Sequence, residues 1–374
     1  MPFDNKPILV FWETTKACPL NCVHCRAEAI GNPLPGELST SEGKALIDVI
    51  SSFGKPAPVI VFTGGDPLRR KDLFELLEYA KNKGVASAVA PAVSEDLTPN
   101  VLDRIKSSGV VSISLSLDSS YSWKHDAIRR KAGTFDKTMD TIRYAKSINL
   151  GIQINTTVMK SNITELPRIF ALLKHENVRV WEVFFLINTG RGAEVEDISA
   201  AEYESVCNFL YDASQYGIVI RVVEGPFIRR VAKLRASQGA YWSSEDYLIM
   251  REELISEFGE PTIKPTISQS GTLDGDGIIF VSHDGTISPG GFTPVALGNI
   301  KSKNLVEVYR NDARLVSIRS RGFHGECGSC KFKEKCGGSR ARAFASSKDL
   351  YGSDIACIRV TEAGPREHTK PHGP

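Results

Sequence analysis

Short apolar runs alternate with amphipathic stretches from residue 8 to about residue 188. The runs are too short for ordinary helices and are rich in β-branched and aromatic residues, which is typical of buried strands. They predict strands over 8–14, 59–62, 86–91, 110–118, 152–158 and 180–187. Between them, apolar positions recur at helical spacing and predict helices over 40–52, 72–83, 98–107, 135–147 and 165–174.

About six β/α units in succession predict a parallel sheet with its helices outside. Right-handed crossovers curl such a sheet into a barrel or an open part of one, with the chemistry at the carboxyl ends of the strands. The predicted fold class is therefore α/β, a partial (β/α)6 barrel of the TIM type over residues 1–190. Residues 191–270 are predicted to be a helical and connecting region, with a helix at 242–260 and a further strand at 219–223.

Composition narrows the class of protein. Of 374 residues 24% are charged and 41% hydrophobic, and the net charge is +2, which is an ordinary soluble composition. There is no long basic run that would indicate nucleic-acid binding and no apolar stretch long enough for a membrane helix. The first residues lack an apolar signal core, so we expect a cytoplasmic protein. The polar residues 361–374, rich in Pro and His, predict a disordered tail.

The eight cysteines are clustered rather than dispersed. Clustered thiols in a reduced compartment favour metal binding over disulfides. Cys207 stands alone inside an apolar helical pattern and is predicted to be a buried spectator. The other seven form an early group and a late group, which are Cys18, Cys22 and Cys25, and then Cys327, Cys330, Cys336 and Cys357.

The early group has the spacing C-x3-C-x2-C. Three thiolates at this spacing can hold three irons of a [4Fe–4S] cluster and leave the fourth iron without a protein ligand. An open iron can bind a small molecule by its amine and carboxylate, and S-adenosylmethionine (SAM) is the natural candidate. One electron would then cleave the sulfonium C–S bond and release a 5′-deoxyadenosyl radical. A disulfide cannot pair three cysteines, and zinc prefers four ligands.

With His24 just before the last cysteine, this run resembles the cysteine motif of the radical SAM superfamily. Gly64-Gly65-Asp66, placed after the second strand, resembles that family's Gly-Gly-Glu motif, whose backbone and carboxylate meet the methionine ammonium group. Asp66 is one methylene shorter than the usual Glu. By the same resemblance, His24 is expected beside the adenine. Without the family, a Gly-Gly-Asp run is also an ordinary turn.

Further cofactor contacts are expected on the fourth and fifth strands. In family members with this pattern, polar groups at the positions of Ser116 and Asp118 approach the methionine or ribose part of the cofactor. The stretch from His125 to Arg129 resembles an HDxxR pattern whose arginine pairs with the cofactor carboxylate. Asn155 is a similar candidate, because a polar residue pointing into a barrel needs a polar partner. A solvated position is the alternative interpretation of these residues.

The late group has the spacing C-x2-C-x5-C-x20-C, a complete set for zinc or for a [4Fe–4S] cluster. Beside a radical SAM motif, an auxiliary [4Fe–4S] cluster is the favoured interpretation. The arrangement resembles the C-terminal SPASM domain, a small α+β unit expected here over residues 271–360, with its β-hairpin at 280–289. Members with two auxiliary clusters carry a cysteine just after the hairpin, where this chain has Gly290 and Gly291. We therefore expect one auxiliary cluster, fully ligated and suited to passing electrons.

This reduced pattern is similar to radical SAM proteins of the alternative haem pathway and of modified haems. The resemblance implies an oxidoreductase that decarboxylates a tetrapyrrole propionate, with an electron donor such as ferredoxin or flavodoxin. The alternative is a maturase of a ribosomally made peptide, and a non-enzymatic iron–sulfur carrier would leave the Gly-Gly-Asp loop without a purpose. Substrate carboxylates could meet Arg340, Arg342 or basic residues in 301–321, although a solvated face is expected for most of these.

Overall fold

The structure is a computed structural model that describes residues 3–267 and 271–362. In this part of the chain, seven strands pair side by side in parallel, in chain order. They are β1 (Leu9–Glu13), β2 (Val59–Thr63), β3 (Ser87–Val89), β4 (Val110–Ser116), β5 (Gly151–Val158), β6 (Val180–Phe185) and β7 (Val219–Val223). The fold is the α/β partial barrel that the repeated units predicted.

Helices connect the strands and bury apolar faces against the sheet. They are α1 (Thr40–Ser51), α2 (Leu73–Asn82), α3 (Pro99–Ser107), α4 (Ser122–Arg129), α5 (Thr134–Ser147), α6 (Leu166–His175), α7 (Ala200–Ala213), α8 (Ile228–Gln238) and α9 (Glu245–Phe258). Ser39 begins α1 with a capping box to Glu42, and Thr98 caps α3. At Gly43 a Cβ atom would lie 2.7 Å from the Trp12 ring, so glycine lets α1 approach β1 closely.

Two of these helices were absent from the prediction, because their charged residues obscure the apolar pattern. α4 carries Lys124, Asp126 and Arg129 within eight residues. In α8, Arg229 and Arg230 are buried, and Arg230 pairs with the buried Glu204. The same region contributes β7 to the barrel sheet, so residues 191–270 supply part of the barrel wall as well as connections. Cys207 lies fully buried in the core, as its pattern predicted.

The C-terminal part continues the same sheet on the other side of β1. β9 (Gly277–Val281) pairs in parallel with β1, and β10 (Thr286–Ser288) returns antiparallel as the predicted hairpin. The remaining elements are β8 (Leu273–Asp274), β11 (Gly298–Asn299), α10 (Leu305–Asn311), α11 (Ala313–Arg319), α12 (Gly325–Ser329), α13 (Arg340–Ser347) and α14 (Ile358–Glu362). α14 corrects the predicted tail, which began at Thr361. The rest of that tail, 363–374, lies outside the described residues.

Across residues 3–267 and 271–362, none of the helices combines the length and apolar character that a membrane crossing requires.

Candidate active site

The three early cysteines lie in a loop that leaves β1 at its carboxyl end and is pinned by backbone hydrogen bonds. The amide of Cys18 donates to Ile30 O at 2.7 Å, and the amide of Val23 donates to Ile128 O at 3.0 Å. Burial raises the pKa of the Cys18 thiol to about 12, so without a metal this group holds its proton. A metal ligand must be a thiolate, and binding therefore releases that proton.

A cavity of about 250 Å³ lies at the carboxyl ends of the strands. Nine of the residues that the sequence singled out line it together: Cys18, Cys22, His24, Cys25, Gly64, Gly65, Ser116, Arg129 and Asn155. Asp66 and Asp118 are fully buried and do not line it. The five late-group and spectator cysteines aside, the predicted residues thus form a cavity wall and two buried carboxylates beside it, Asp66 next to Gly65 and Asp118 paired with Arg129.

The Gly-Gly-Asp loop packs directly on the cysteine loop. The amide of Gly65 donates to Thr15 O and that of Asp66 to Ala17 O, both at 2.7 Å. A Cβ atom at Gly65 would lie 2.3 Å from Ala17 O, so the close contact of the two loops requires glycine here. The glycines therefore hold the cysteine loop in place, in addition to any contact with a cofactor.

Asp66 presents one free carboxylate oxygen in a buried position. Its Oδ1 accepts from the amides of Leu68 and Ala92 at 3.1 and 3.2 Å, whereas Oδ2 has no hydrogen-bond partner among the described residues. Burial raises the pKa of Asp66 to about 6. A cationic group placed at Oδ2 would satisfy the atom and favour the carboxylate, which fits an ammonium ligand.

Asp118 and Arg129 form an ion pair beside the cysteine loop. Arg129 Nη1 also lies 3.6 Å from Cys22 Sγ, and its buried Nε has no partner in the described part of the chain. Burial alone would raise the pKa of Asp118, but the guanidinium of Arg129 holds it below its usual value. Asp118 thus positions the arginine that borders the cavity, a relationship that the two separate motifs did not reveal.

Two histidines flank this pair, of which His125 is buried and His24 is partly exposed. Burial lowers the pKa of His24 and of His125 to about 4, so both rings are neutral. His125 Nδ1 accepts from the amide of Asp118 at 3.2 Å, which sets its tautomer. His24 Nδ1 has no hydrogen-bond partner among residues 3–267 and 271–362, and the ring lines the cavity.

Asn155 belongs to a polar layer inside the barrel. Gln153 Nε2 donates to Asn155 Oδ1 at 2.9 Å and to Glu182 Oε2 at 2.7 Å, and Arg221 Nη1 donates to Gln153 Oε1 at 2.9 Å. Burial raises the pKa of Glu182 to about 7. The layer holds Asn155 in a fixed orientation opposite Ser116, its partner in the β4–β5 register.

Arg191 is a cavity residue that the sequence analysis missed. It follows β6 and donates from Nε to Cys22 O at 2.9 Å and from Nη1 to Ala29 O at 3.1 Å. Its buried Nη2 has no partner among the described residues. The sequence feature that could have identified Arg191 is its position just after a predicted strand, in Thr189-Gly-Arg-Gly192. Loops that follow the strands of such barrels carry the residues of the active site.

A basic and aromatic wall closes one side of the cavity and was also missed. Arg26 donates to Gly291 O and to Glu13, both at 3.0 Å, and its guanidinium lies 4.9 Å from the centroid of the Phe280 ring. Phe184 and Phe292 face each other with ring centroids 6.4 Å apart, and both line the cavity half-buried. No sequence pattern points to these two rings, because one lies on a strand and the other in a loop that is far away in the chain.

Gly290 shows why this chain differs from proteins with a cysteine after the hairpin. A Cβ atom at Gly290 would lie 1.9 Å from the carboxylate of Asp274, which is buried and accepts from Thr293 Oγ1 at 2.6 Å. The space that a side chain would need at this position is already filled.

The four late cysteines line a second cavity of about 230 Å³. Cys327 lies in α12, Cys330 ends it, Cys336 precedes two glycines, and Cys357 precedes α14. Burial raises the pKa of Cys336 to about 12 and that of Cys357 to about 11. At Gly338 a Cβ atom would lie 2.9 Å from Cys327 Sγ, so glycine keeps the space beside this thiol open.

Arg340 and Arg342 correct the expectation of a solvated face. Both are buried, and they donate to backbone carbonyls: Arg340 to Gly352 O at 2.9 Å, and Arg342 to Leu186 O at 3.1 Å. Arg342 also pairs with the buried Asp354. Arg342 thus ties the late cysteine segment to the barrel, Arg340 holds that segment together, and neither is available to a substrate. Within 301–321, Arg319 and Arg321 are likewise buried.

Comparison with known proteins agrees with this geometry. The profile of the radical SAM superfamily matches residues 12–173. The chain is 36% identical over 360 residues to the AdoMet-dependent heme synthase of Nitratidesulfovibrio vulgaris, covering 95% of this chain and 93% of that protein. It is 33% identical to the AdoMet-dependent heme synthase of Methanosarcina barkeri, over 95% and 97% of the two chains. Streptococcus suis SuiB bound to S-adenosylmethionine shares the fold, with a TM-score of 0.67, 14% identity and coverage of 95% and 78%.

A partial parallel barrel with three thiols and a Gly-Gly-Asp loop around one cavity defines a class of enzymes that use an iron–sulfur cluster. The chain belongs to the radical SAM superfamily, with relatives named AdoMet-dependent heme synthase. Membership implies an enzyme with a [4Fe–4S] cluster and S-adenosylmethionine as cofactors, and a need for a reductant.

Proposed function

We propose that this enzyme oxidatively decarboxylates a propionate side chain of a tetrapyrrole in haem-type biosynthesis. The observation that carries the proposal is that one cavity joins three cluster-type thiols to an aromatic and basic wall. The relatives named heme synthase, which match over nearly their whole length, support the same substrate class.

In this proposal Cys18, Cys22 and Cys25 hold the cluster with the open iron. The free Oδ2 of Asp66 accepts the methionine ammonium group, and Arg129, steadied by Asp118, meets the carboxylate. The other cofactor contacts we propose are His24, Gly64, Gly65, Ser116 and Asn155. When bound, the cluster and SAM supply a 5′-deoxyadenosyl radical beside the barrel mouth.

The wall of the cavity suits a flat, acidic substrate. Phe184 and Phe292 offer half-buried rings against which a macrocycle can stack, since aromatic faces prefer offset or tilted contacts. The free Nη2 of Arg191 offers a charge-assisted hydrogen bond to a propionate carboxylate. A cavity of about 250 Å³ is small for a whole tetrapyrrole beside SAM, so one edge of the ring enters and the rest lies at the mouth.

The atoms and electrons of this reaction are all accounted for by changes in the propionate side chain. The propionate gives up one hydrogen atom to the 5′-deoxyadenosyl radical, then loses carbon dioxide and one electron, and a vinyl group remains. Arg191 orients the carboxylate that leaves, and the aromatic wall keeps water from the reacting carbon. The buried cysteine set at 327–357 would hold an auxiliary cluster that accepts the remaining electron.

The lining of the second cavity supports an auxiliary cluster. The thiols of Cys327, Cys330, Cys336 and Cys357 all line one space of about 230 Å³. A [4Fe–4S] cluster fills such a space, because each thiolate binds a different iron. We assign the auxiliary cluster to a domain over residues 271–360 and the radical chemistry to a domain over residues 1–190. Because so many thiolate ligands require reducing conditions, we place the enzyme in the cytoplasm.

The test is an anaerobic assay of the reconstituted protein with dithionite, SAM and iron-coproporphyrin III, read by mass spectrometry. The proposal requires decarboxylated porphyrin and 5′-deoxyadenosine in matching amounts. Phe292→Ala should raise the KM for the porphyrin about tenfold, while 5′-deoxyadenosine is still formed without porphyrin. Formation of 5′-deoxyadenosine with an unchanged porphyrin would overturn the tetrapyrrole assignment and point to a peptide substrate.

A further inference from the structure

Basic side chains surround the opening of the second cavity. Lys331, Lys333 and Arg359 line it together with the late cysteines. Lys331 and Arg359 are exposed. Basic side chains are thus concentrated where the site opens to solvent.

Further lysines extend the same surface. Lys233 of α8 and Lys331 lie 5.7 and 5.4 Å from the ring centroid of the buried Phe332, on the wall of the cavity. We call this surface the basic rim; its basic members are Lys233, Lys331, Lys333 and Arg359, and Glu326 is the acidic residue that lines the same cavity. The rim therefore carries a net charge of about +3, more than the whole chain at +2.

An exposed apolar residue lies close in sequence to the late cysteines. Ile355, two residues before Cys357, is 53% exposed, although isoleucine is usually buried. At protein interfaces charged side chains steer association and apolar contacts add to its strength.

We propose that the basic rim docks a small acidic electron-carrier protein, which takes up the electron left by substrate oxidation. The proposal rests on the proposed function, because it needs an electron to leave through the late cysteine site. The step moves one electron. The substrate radical that remains after the loss of one hydrogen atom gives up carbon dioxide and one electron, the carrier is reduced by that electron, and no atom passes to the carrier. Negative charge on the carrier complements the rim, and docking there brings its redox group next to the thiol-lined cavity.

The first experiment measures binding and needs no turnover. Oxidised flavodoxin, a small acidic carrier, is titrated into the holoprotein by isothermal calorimetry at 20 and 300 mM NaCl. Lys331→Glu/Lys333→Glu should weaken binding at least tenfold at low salt, and high salt should weaken the wild-type complex similarly. The matched control reverses two exposed barrel lysines, Lys55→Glu/Lys71→Glu, and should stay within twofold.

A second variant separates docking from assembly of the cysteine site. Lys233 belongs to α8 and not to the late cysteine segment, although it lies 5.7 Å from the centroid of the Phe332 ring. Lys233→Glu should weaken binding about threefold while iron content and the visible spectrum stay unchanged. If the rim variants and the control variant weaken flavodoxin binding equally, the rim is not the docking site. If the wild type binds a single-stranded oligonucleotide but not flavodoxin, and the rim variants lose that binding, the occupant of the rim is not an electron carrier.

Electron uptake is then followed separately. In a single turnover with iron-coproporphyrin III, flavodoxin semiquinone should appear in step with product, and the Lys331→Glu/Lys333→Glu variant should slow it about tenfold. Product without semiquinone would overturn the carrier's role. If no product forms with the wild type, the tetrapyrrole assignment fails, and the calorimetric result still decides whether the rim binds the carrier.

Discussion

Asp118 and Arg129 form a buried ion pair whose arginine also reaches Cys22, with Nη1 3.6 Å from Sγ. The carboxylate is fully buried and accepts a second hydrogen bond from the amide of Thr157 at 2.8 Å. The pair therefore links the end of β4, the end of α4 and the cysteine loop. It fixes the guanidinium at the edge of the cavity before any ligand arrives.

Asp118→Asn should weaken SAM binding without removing the cluster. The amide is isosteric but uncharged, so Arg129 loses its main partner and its fixed orientation. We expect the Kd for SAM to rise about tenfold, with iron content unchanged, in equilibrium dialysis of the reconstituted protein. Asp103→Asn, at an exposed carboxylate that accepts from Tyr144, serves as the control and should leave the Kd as in the wild type. Loss of iron in Asp118→Asn would contradict a role in orientation alone.

The sequence predicted much of this arrangement, but not its connections. The strand order, the cysteine loop and the Gly-Gly-Asp loop follow from patterns that each lie in one short segment. Asp118 and Arg129 were predicted as two independent cofactor contacts. The sequence does not show that they pair, because one follows a strand and the other lies on a helix, and only the tertiary structure brings them together. Arg191 and Phe292 come from distant loops, and only folding brings them to the cavity. α8 was hidden by arginines whose burial depends on partners elsewhere, such as Glu204.

Glu182→Gln should stabilise the protein at high pH. The folded-state pKa of Glu182 is raised to about 7 from an ordinary value of 4.5, so between these values the folded protein keeps a proton that the unfolded chain loses. The free energy of unfolding therefore falls as pH rises through this window and stays lower above pH 7. Gln153 Nε2, which donates to Glu182 Oε2, keeps an acceptor in the variant.

Urea unfolding at pH 4.5 and pH 8 measures this effect. We expect a gain on the order of 1–2 kcal/mol for Glu182→Gln at pH 8 and almost none at pH 4.5. Glu95→Gln, at an exposed carboxylate paired with Lys131, is the control and should give no gain at pH 8. A larger gain at the lower pH would show that the sign of the pKa shift is wrong.

Gly290→Cys should destabilise the protein and should not create a second auxiliary cluster. The new Cβ atom would lie 1.9 Å from the Asp274 carboxylate, which must then move away from Thr293. We expect a loss of about 1–3 kcal/mol in the free energy of unfolding, with unchanged iron and sulfide content. Gly31→Cys, where no atom lies within 4 Å of the added Cβ, is the matched control and should keep the wild-type stability. Additional iron in Gly290→Cys alone would show that the position can serve a cluster after all.

Cys330→Ala tests whether the late cysteines hold iron. Cys330 ends α12 and lines the second cavity, whereas Cys207 lies fully buried in the core of α7. If the site holds a [4Fe–4S] cluster, Cys330→Ala should lose up to about four irons per chain and keep the early cluster. Dithionite-driven formation of 5′-deoxyadenosine should therefore persist, while porphyrin decarboxylation falls.

Cys207→Ala is the matched control. It removes a thiol of equal size and should keep all the iron, so that a loss of iron in Cys330→Ala alone reports on ligation. Zinc in the wild type, lost in Cys330→Ala with no change in iron, would show that the site is a structural zinc centre and would remove the electron acceptor from the proposed reaction.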